Sequence, residues 1–233
     1  MSRGLPTNNR SLMINRRSLA RRVVPDSAIY RWWAGNLLVN SGQTASPWPE
    51  EIANQDATAV GNPIYRSNHS GFPTVEYDGN DDGHTWSPSD QLPTGTDEFS
   101  ILAMVYPNTL DGDDAILFYG EGSPNSMNSF NLDSGNVQHE FYDNNIRGNI
   151  SLTASEWNTV GIAYDGSERR LFVNGSLDVS DQPGSVEVHS ADHSIGYRRS
   201  SVSDRHFNGY ISEVILCNSA EDPPTFSTYN TLI

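Results

Sequence analysis

From residue 26 onward the chain breaks into segments of four to eight residues that alternate apolar and polar side chains, separated by clusters of Gly, Asn, Asp and Pro. A period of two places alternate side chains on opposite faces of an extended strand, so the pattern dictates half-buried β-strands rather than helices. Segments at 99–106 (FSILAMVY), 115–119 (AILFY), 137–142, 157–164 (WNTVGIAY), 170–173 (RLFV) and 210–216 (YISEVIL) fit it. Asp165-Gly166 and Asn174-Gly175 flank one such segment, and both dipeptides suit the positive φ of tight hairpin turns. Thirteen prolines and 19 glycines leave no stretch for a long helix. The one late helical pattern, at 220–229, is interrupted by Pro223-Pro224. No repeat of 20–50 residues appears, which excludes a solenoid. Many short strands over about 200 residues predict a β-sandwich or barrel, most simply a jelly roll.

Charge divides the chain in two. Arg3, Arg10, Arg16, Arg17, Arg21 and Arg22 all precede the first acid, Asp26; the other eight arginines face all 29 acids, and lysine is absent. Residues 1–25 are therefore expected to form a basic arm, with a short helix around 11–22 (Leu12, Arg16, Leu19 and Val23 share a spacing) or a disordered tail as alternatives. The rest repels itself in dilute buffer, whereas molar salt shortens the Debye length to ~3 Å and screens that repulsion. A lysine-free, Asp-rich composition resembles that of proteins from halophilic archaea and their viruses. So negative a body is not expected to bind nucleic acid. No run approaches the 18 apolar residues of a membrane span, and the N-terminus lacks the apolar core of a secretory signal.

Five phrases line up in order: YRWWAGN at 30–36, SPWPEEIANQDAT at 46–58, NPIYRSNHSGFPTVEYDGNDDG at 62–83, EWNTVGIAYDGSERRLFVNGSLD at 156–178, and SIGYRRSSVSDRHFNGYISEVILCNSA at 194–220. Together they resemble the laminin-G-like branch of the concanavalin A-like lectin/glucanase jelly rolls. The resemblance covers 26–233 and leaves 107–155, including LDGDD and GEGSPNSMNS, without a close counterpart. It implies an all-β concanavalin A-like jelly-roll sandwich at 26–233 behind a basic arm at 1–25.

The residues themselves bound the chemistry. Trp32, Trp33, Trp48 and Trp157 are expected in or near the core and Trp86 near a loop; Gly209 reads as a bend or bulge and Cys217 as an inert buried thiol. A single cysteine excludes an intrachain disulfide and a cysteine-based zinc cluster. The six histidines show no paired zinc-ligand spacing, and no GxSxG, P-loop or GxGxxG motif follows a strand. Glucanase relatives carry Glu-x-Asp-x-x-Glu on one strand, where alternate positions bring two carboxyls together. The nearest match is Glu76-Tyr77-Asp78-Gly79-Asn80-Asp81; it ends in Asp, Gly79 interrupts it, and no catalytic residue is expected. Asp78, Asp81 and Asp82 are candidate ligands for a hard cation such as calcium, as are Asp111, Asp113 and Asp114; the competing reading is a solvated acidic loop. Asn9, Asn68, Asn149 and Asn174 stand in N-x-S/T sequons.

The expected function is that of a non-enzymatic virion component of a halophilic archaeal virus, located in the particle as a capsid decoration, turret, tail or fibre protein. The arm would dock on acidic virion proteins by bidentate arginine–carboxylate pairs, which suit arginine better than lysine. A homo-oligomer and a host-surface glycan are the further partners expected. The alternatives are a cellular carbohydrate-binding lectin and, behind it, a glucanase-type hydrolase.

Overall fold

The computed structural model describes residues 24–198 and 205–221. The strands, in chain order, are β1 (Ala28–Trp33), β2 (Thr58–Val60), β3 (Ile64–His69), β4 (Phe72–Asp78), β5 (Gly83–Thr85), β6 (Phe99–Pro107), β7 (Asp113–Gly120), β8 (Met127–Asp133) and β9 (Asn136–Glu140). There follow β10 (Asn145–Ser151), β11 (Asn158–Tyr164), β12 (Arg169–Val173), β13 (Ser176–Asp181), β14 (Ser194–Ile195), β15 (Tyr197–Arg198), β16 (Arg205–His206) and β17 (Asn208–Cys217). Two antiparallel sheets face each other, as the alternation predicts. The large sheet runs β13-β12-β11-β6-β17-β4-β3, and the small sheet β10-β9-β8-β7-β14-β5-β2.

β17 organises the large sheet. One edge pairs with β6 along its whole length, with an extra residue between Ile211 and Glu213. The other edge pairs with β4 over Asn208–Ile211 and with β1 over Glu213–Cys217. Alternation then decides the faces. Phe99, Ile101, Ala103 and Val105 of β6 point inward against Leu117, Phe130, Leu132 and Val137 of the small sheet. Leu102, Ala163, Phe172, Ile215 and Cys217 form a second apolar cluster on the opposite, outward face of the large sheet. Asn174 (φ 49°) and Gly175 (φ 77°) form the tight β12–β13 turn expected of Asn-Gly. Gly209 has φ 147°, and a Cβ there would lie 2.2 Å from the Tyr106 carbonyl oxygen.

Trp32 and Trp48 are fully buried and Trp157 is nearly so. Trp86 lies in the loop that follows β5, as expected, and is buried there with its ring edge-on to Trp32 at 4.9 Å. Cys217 is a buried free thiol whose pKa burial pushes up to about 11, as an inert core cysteine requires. The stretch 107–155, for which the motif resemblance offers no close counterpart, supplies β7 to β10, four strands of the small sheet. The six arginines of the arm and most of the 220–229 pattern lie outside the described residues. No helix among the described residues is long and apolar enough to cross a membrane.

Buried polar groups form two satisfied networks between the sheets. Arg169, fully buried, donates to both carboxylate oxygens of Asp181 (3.0 and 2.7 Å) and to His139 Nδ1 (3.1 Å). That contact fixes the tautomer: His139 donates from Nε2 to Asn128 Oδ1 (2.9 Å), and Asn128 donates to the Tyr119 hydroxyl (2.8 Å). His84 likewise donates from Nε2 to the Ala45 carbonyl (2.6 Å) and accepts at Nδ1 from the Tyr77 hydroxyl (3.0 Å). Burial lowers both imidazoles, His84 to about 4 and His139 well below its usual value, where Arg169 adds to the effect.

Candidate functional site

The sharpest local geometry lies where β4 turns into β5. Gly79 takes φ 78°, which lets the chain reverse within Asp78–Asp82. The Asp78 carboxylate accepts the backbone N–H groups of Asn80 (2.8 Å) and Asp81 (3.3 Å). Asp82 is buried and accepts the N–H groups of Asn62 (2.6 Å) and Asp78 (3.2 Å). The turn thus gathers the three carboxylates expected from sequence, with ligand oxygens all within 4.8 Å of one another. Burial raises Asp82, and the charges of Asp78 and Asp81 reinforce that. Burial also pushes Asp78 upward, but the hydrogen bonds from Asn80, Asp81 and Asp82 outweigh it and the net shift is downward. A hard cation prefers oxygen donors of this kind. Among the described residues the second acidic run, Asp111, Asp113 and Asp114, forms no such group. Asp113 pairs with Arg205 at 3.1 Å, while the buried Asp114 accepts the Asn208 N–H at 3.2 Å.

The triad forms one end of a groove on the outward side of β3, β4 and the start of β17. Asn62, Ile64, Arg66 and Glu76 continue it on one side, Asn108 and Asn208 on the other. Arg66 donates from Nε to Glu76 Oε2 (2.6 Å), and the Tyr210 hydroxyl donates to Glu76 Oε1 (3.1 Å). The Asn108 amide donates to the Asn208 side-chain oxygen at 3.1 Å. The groove therefore presents planar amides and carboxylates in fixed orientations, the groups that sort hydroxyl-rich ligands by geometry. Glu76 and Asp78 do occupy one face of β4, as alternation requires, but each carboxylate is already held by the contacts just given.

The outward face of the small sheet is closed differently. Its buried Glu140 accepts from Arg198 (2.8 Å) and from Arg205, so the β15–β16 pair is clamped over β7 to β9. Sequence reading missed this clamp, because its partners stand 58 and 65 positions from Glu140. It also missed an aromatic cluster beside the groove, built from His69, Phe72, Tyr106, Trp157 and Tyr210.

Comparison with known proteins bears on this architecture. The family model described as Laminin_G_3, concanavalin A-like lectin/glucanases superfamily, matches residues 78–224. Comparison with curated proteins gives no match. Among solved structures, domain 4 of an extracellular arabinanase from Geobacillus stearothermophilus, in complex with arabinotriose, superposes with a TM-score of 0.66 at 16% identity, covering 86% of this chain and 97% of that one. The binding domain of botulinum neurotoxin serotype G gives 0.61 at 13% identity, over 88% of this chain and 51% of that one. The CBM40 of the Ruminococcus gnavus IT-sialidase, bound to α2,3-sialyllactose, gives 0.51 at 14% identity, over 57% and 82%. At these identities the likeness is one of fold.

Proposed function

Because the chain belongs to the concanavalin A-like lectin/glucanase superfamily, we propose that it is a non-catalytic glycan-binding jelly roll, carried on a virion as a structural protein and anchored there by residues 1–25. The observation that carries the glycan reading is the groove, where Asn62, Arg66, Glu76, Asn108 and Asn208 are oriented beside the Asp78–Asp81–Asp82 triad. The fold neighbours solved with arabinotriose and sialyllactose support it at the level of architecture. Each carboxylate that could act on a glycosidic bond from β4 is engaged, Glu76 by Arg66 and Tyr210, Asp78 by its own turn. A retaining hydrolase needs two carboxyls about 5–5.5 Å apart, one to protonate the leaving group and one to attack the sugar.

The virion assignment rests on sequence. Six arginines without an acid precede a body of net charge −21, and lysine is absent. At high salt only close pairing survives screening, and arginine forks provide it. A capsid decoration, turret or fibre protein combines such an anchor with an outward adhesive module.

A glycan array in molar salt, with and without calcium, tests the binding reading. A specific hit that weakens in Asp81→Asn supports it, and cleavage of the bound glycan would replace it with the hydrolase alternative. Deleting residues 2–22 and measuring incorporation into particles tests the anchor. Undiminished incorporation would remove the virion role assigned to the arm.

A further inference from the structure

Several shielded side-chain polar atoms lack a hydrogen-bond partner among the described residues, and Trp157 Nε1 and His69 Nε2, on the outward side of the large sheet, are two of them. Shielded polar atoms are normally paired, and those that are not often mark a missing ligand or water. Both belong to the aromatic cluster beside the groove. The His69 ring stacks on Tyr210 with centroids 3.6 Å apart and meets Tyr106 edge-on at 4.6 Å. Tyr106 in turn meets Trp157 at 5.4 Å. The register of β17 against β4 and β6 sets Tyr210 opposite Glu76 and Tyr106, so three strands bring the cluster together.

His69, Tyr106 and Tyr210 are only partly buried. Glu76 joins the cluster to the groove, one carboxylate oxygen on Tyr210 and the other on Arg66. Ring faces stack well against the C–H face of a sugar, and the polar atoms around them can bond its hydroxyls. Glu76 borders the cluster with its charge already paired to Arg66, the acidic triad lies at the other end of the groove, and the chain carries −15. An anionic sugar would meet repulsion.

Resting on the glycan-binding reading above, we propose that the aromatic cluster is a second subsite, continuous with the groove, that stacks one unit of a neutral saccharide, with Trp157 and His69 turning out from under the rings that now cover them to bond its hydroxyls. Burial lowers the pKa of His69, which keeps the ring neutral near pH 7 and suits it to this role.

The test uses the full chain on an array pairing neutral oligosaccharides with their sialylated counterparts, then calorimetry with the tightest neutral hit. Tyr106→Ala is expected to weaken binding about tenfold or more, and Trp157→Phe, which keeps a ring but removes the N–H, several-fold. Tyr210→Phe and circular dichroism guard against misfolding. Binding that falls in Asp81→Asn but stays at the parent level in Trp157→Phe and Tyr106→Ala overturns the subsite and leaves the glycan reading standing. A preference for the sialylated partner also overturns it. Failure of the parent protein to bind any glycan removes both.

Discussion

His84 and His139 illustrate how single residues couple this fold to pH. Each is buried, neutral and hydrogen-bonded through a fixed tautomer. A histidine whose folded pKa is depressed stabilises the fold above its unfolded pKa near 6.5, and that contribution is lost as pH falls toward the folded value. For His84, with a folded value of about 4, the loss between pH 6.5 and 4 reaches about 3 kcal/mol. Denaturant midpoints measured across that range are expected to fall accordingly. A His84→Gln variant should be less stable at pH 7 but lose less on acidification. Asp114 has the opposite sign. Burial raises it to about 6, so its ionisation weighs against folding as pH rises from 4 through 6. Asp114→Asn keeps an acceptor for the Asn208 N–H and is expected to raise stability at pH 7 by up to about 3 kcal/mol, a gain that vanishes below pH 4. Thermal melts at pH 3.5 and 7 check it.

At the scale of elements, two contacts hold the pieces that frame the site. Gly209 lets β17 run against Tyr106, since any Cβ would strike that residue's carbonyl oxygen. Gly209→Ala is expected to cost about 2–4 kcal/mol, read as a lower unfolding midpoint, and to disturb Tyr210 beside it. Glu140→Gln weakens the anchor of Arg198 and Arg205, both on the β15–β16 pair, and is expected to cost about 3 kcal/mol. What could be read from sequence follows the same elements. β6, β11 and β17 are rich in apolar residues and appear there with nearly their true limits. β8 (MNSFNLD) does not, because Asn128 faces inward to Tyr119 and His139 as a buried polar residue, so polarity ceases to report which face a residue is on. The Asp triad was legible because its members are sequence neighbours on one turn. His69, Tyr106, Trp157 and Tyr210 were not, since only strand register makes them adjacent.

For the whole molecule, the balance of charge sets the working conditions. A chain of net −15 is destabilised by its own field, and no lysine is present to offset it. Raising sodium chloride from 0.1 M to molar levels is expected to raise the melting temperature; an unchanged or lower value would argue against salt adaptation. The topology has a consequence for biosynthesis. β17, the last strand described, is the neighbour of β1, β4 and β6 alike. A nascent chain emerging from the ribosome therefore holds three unpaired strand edges until β17 is synthesised. Chains stopped short of Asn208 would keep those edges open to one another, making premature termination a route to aggregates rather than to a smaller working module.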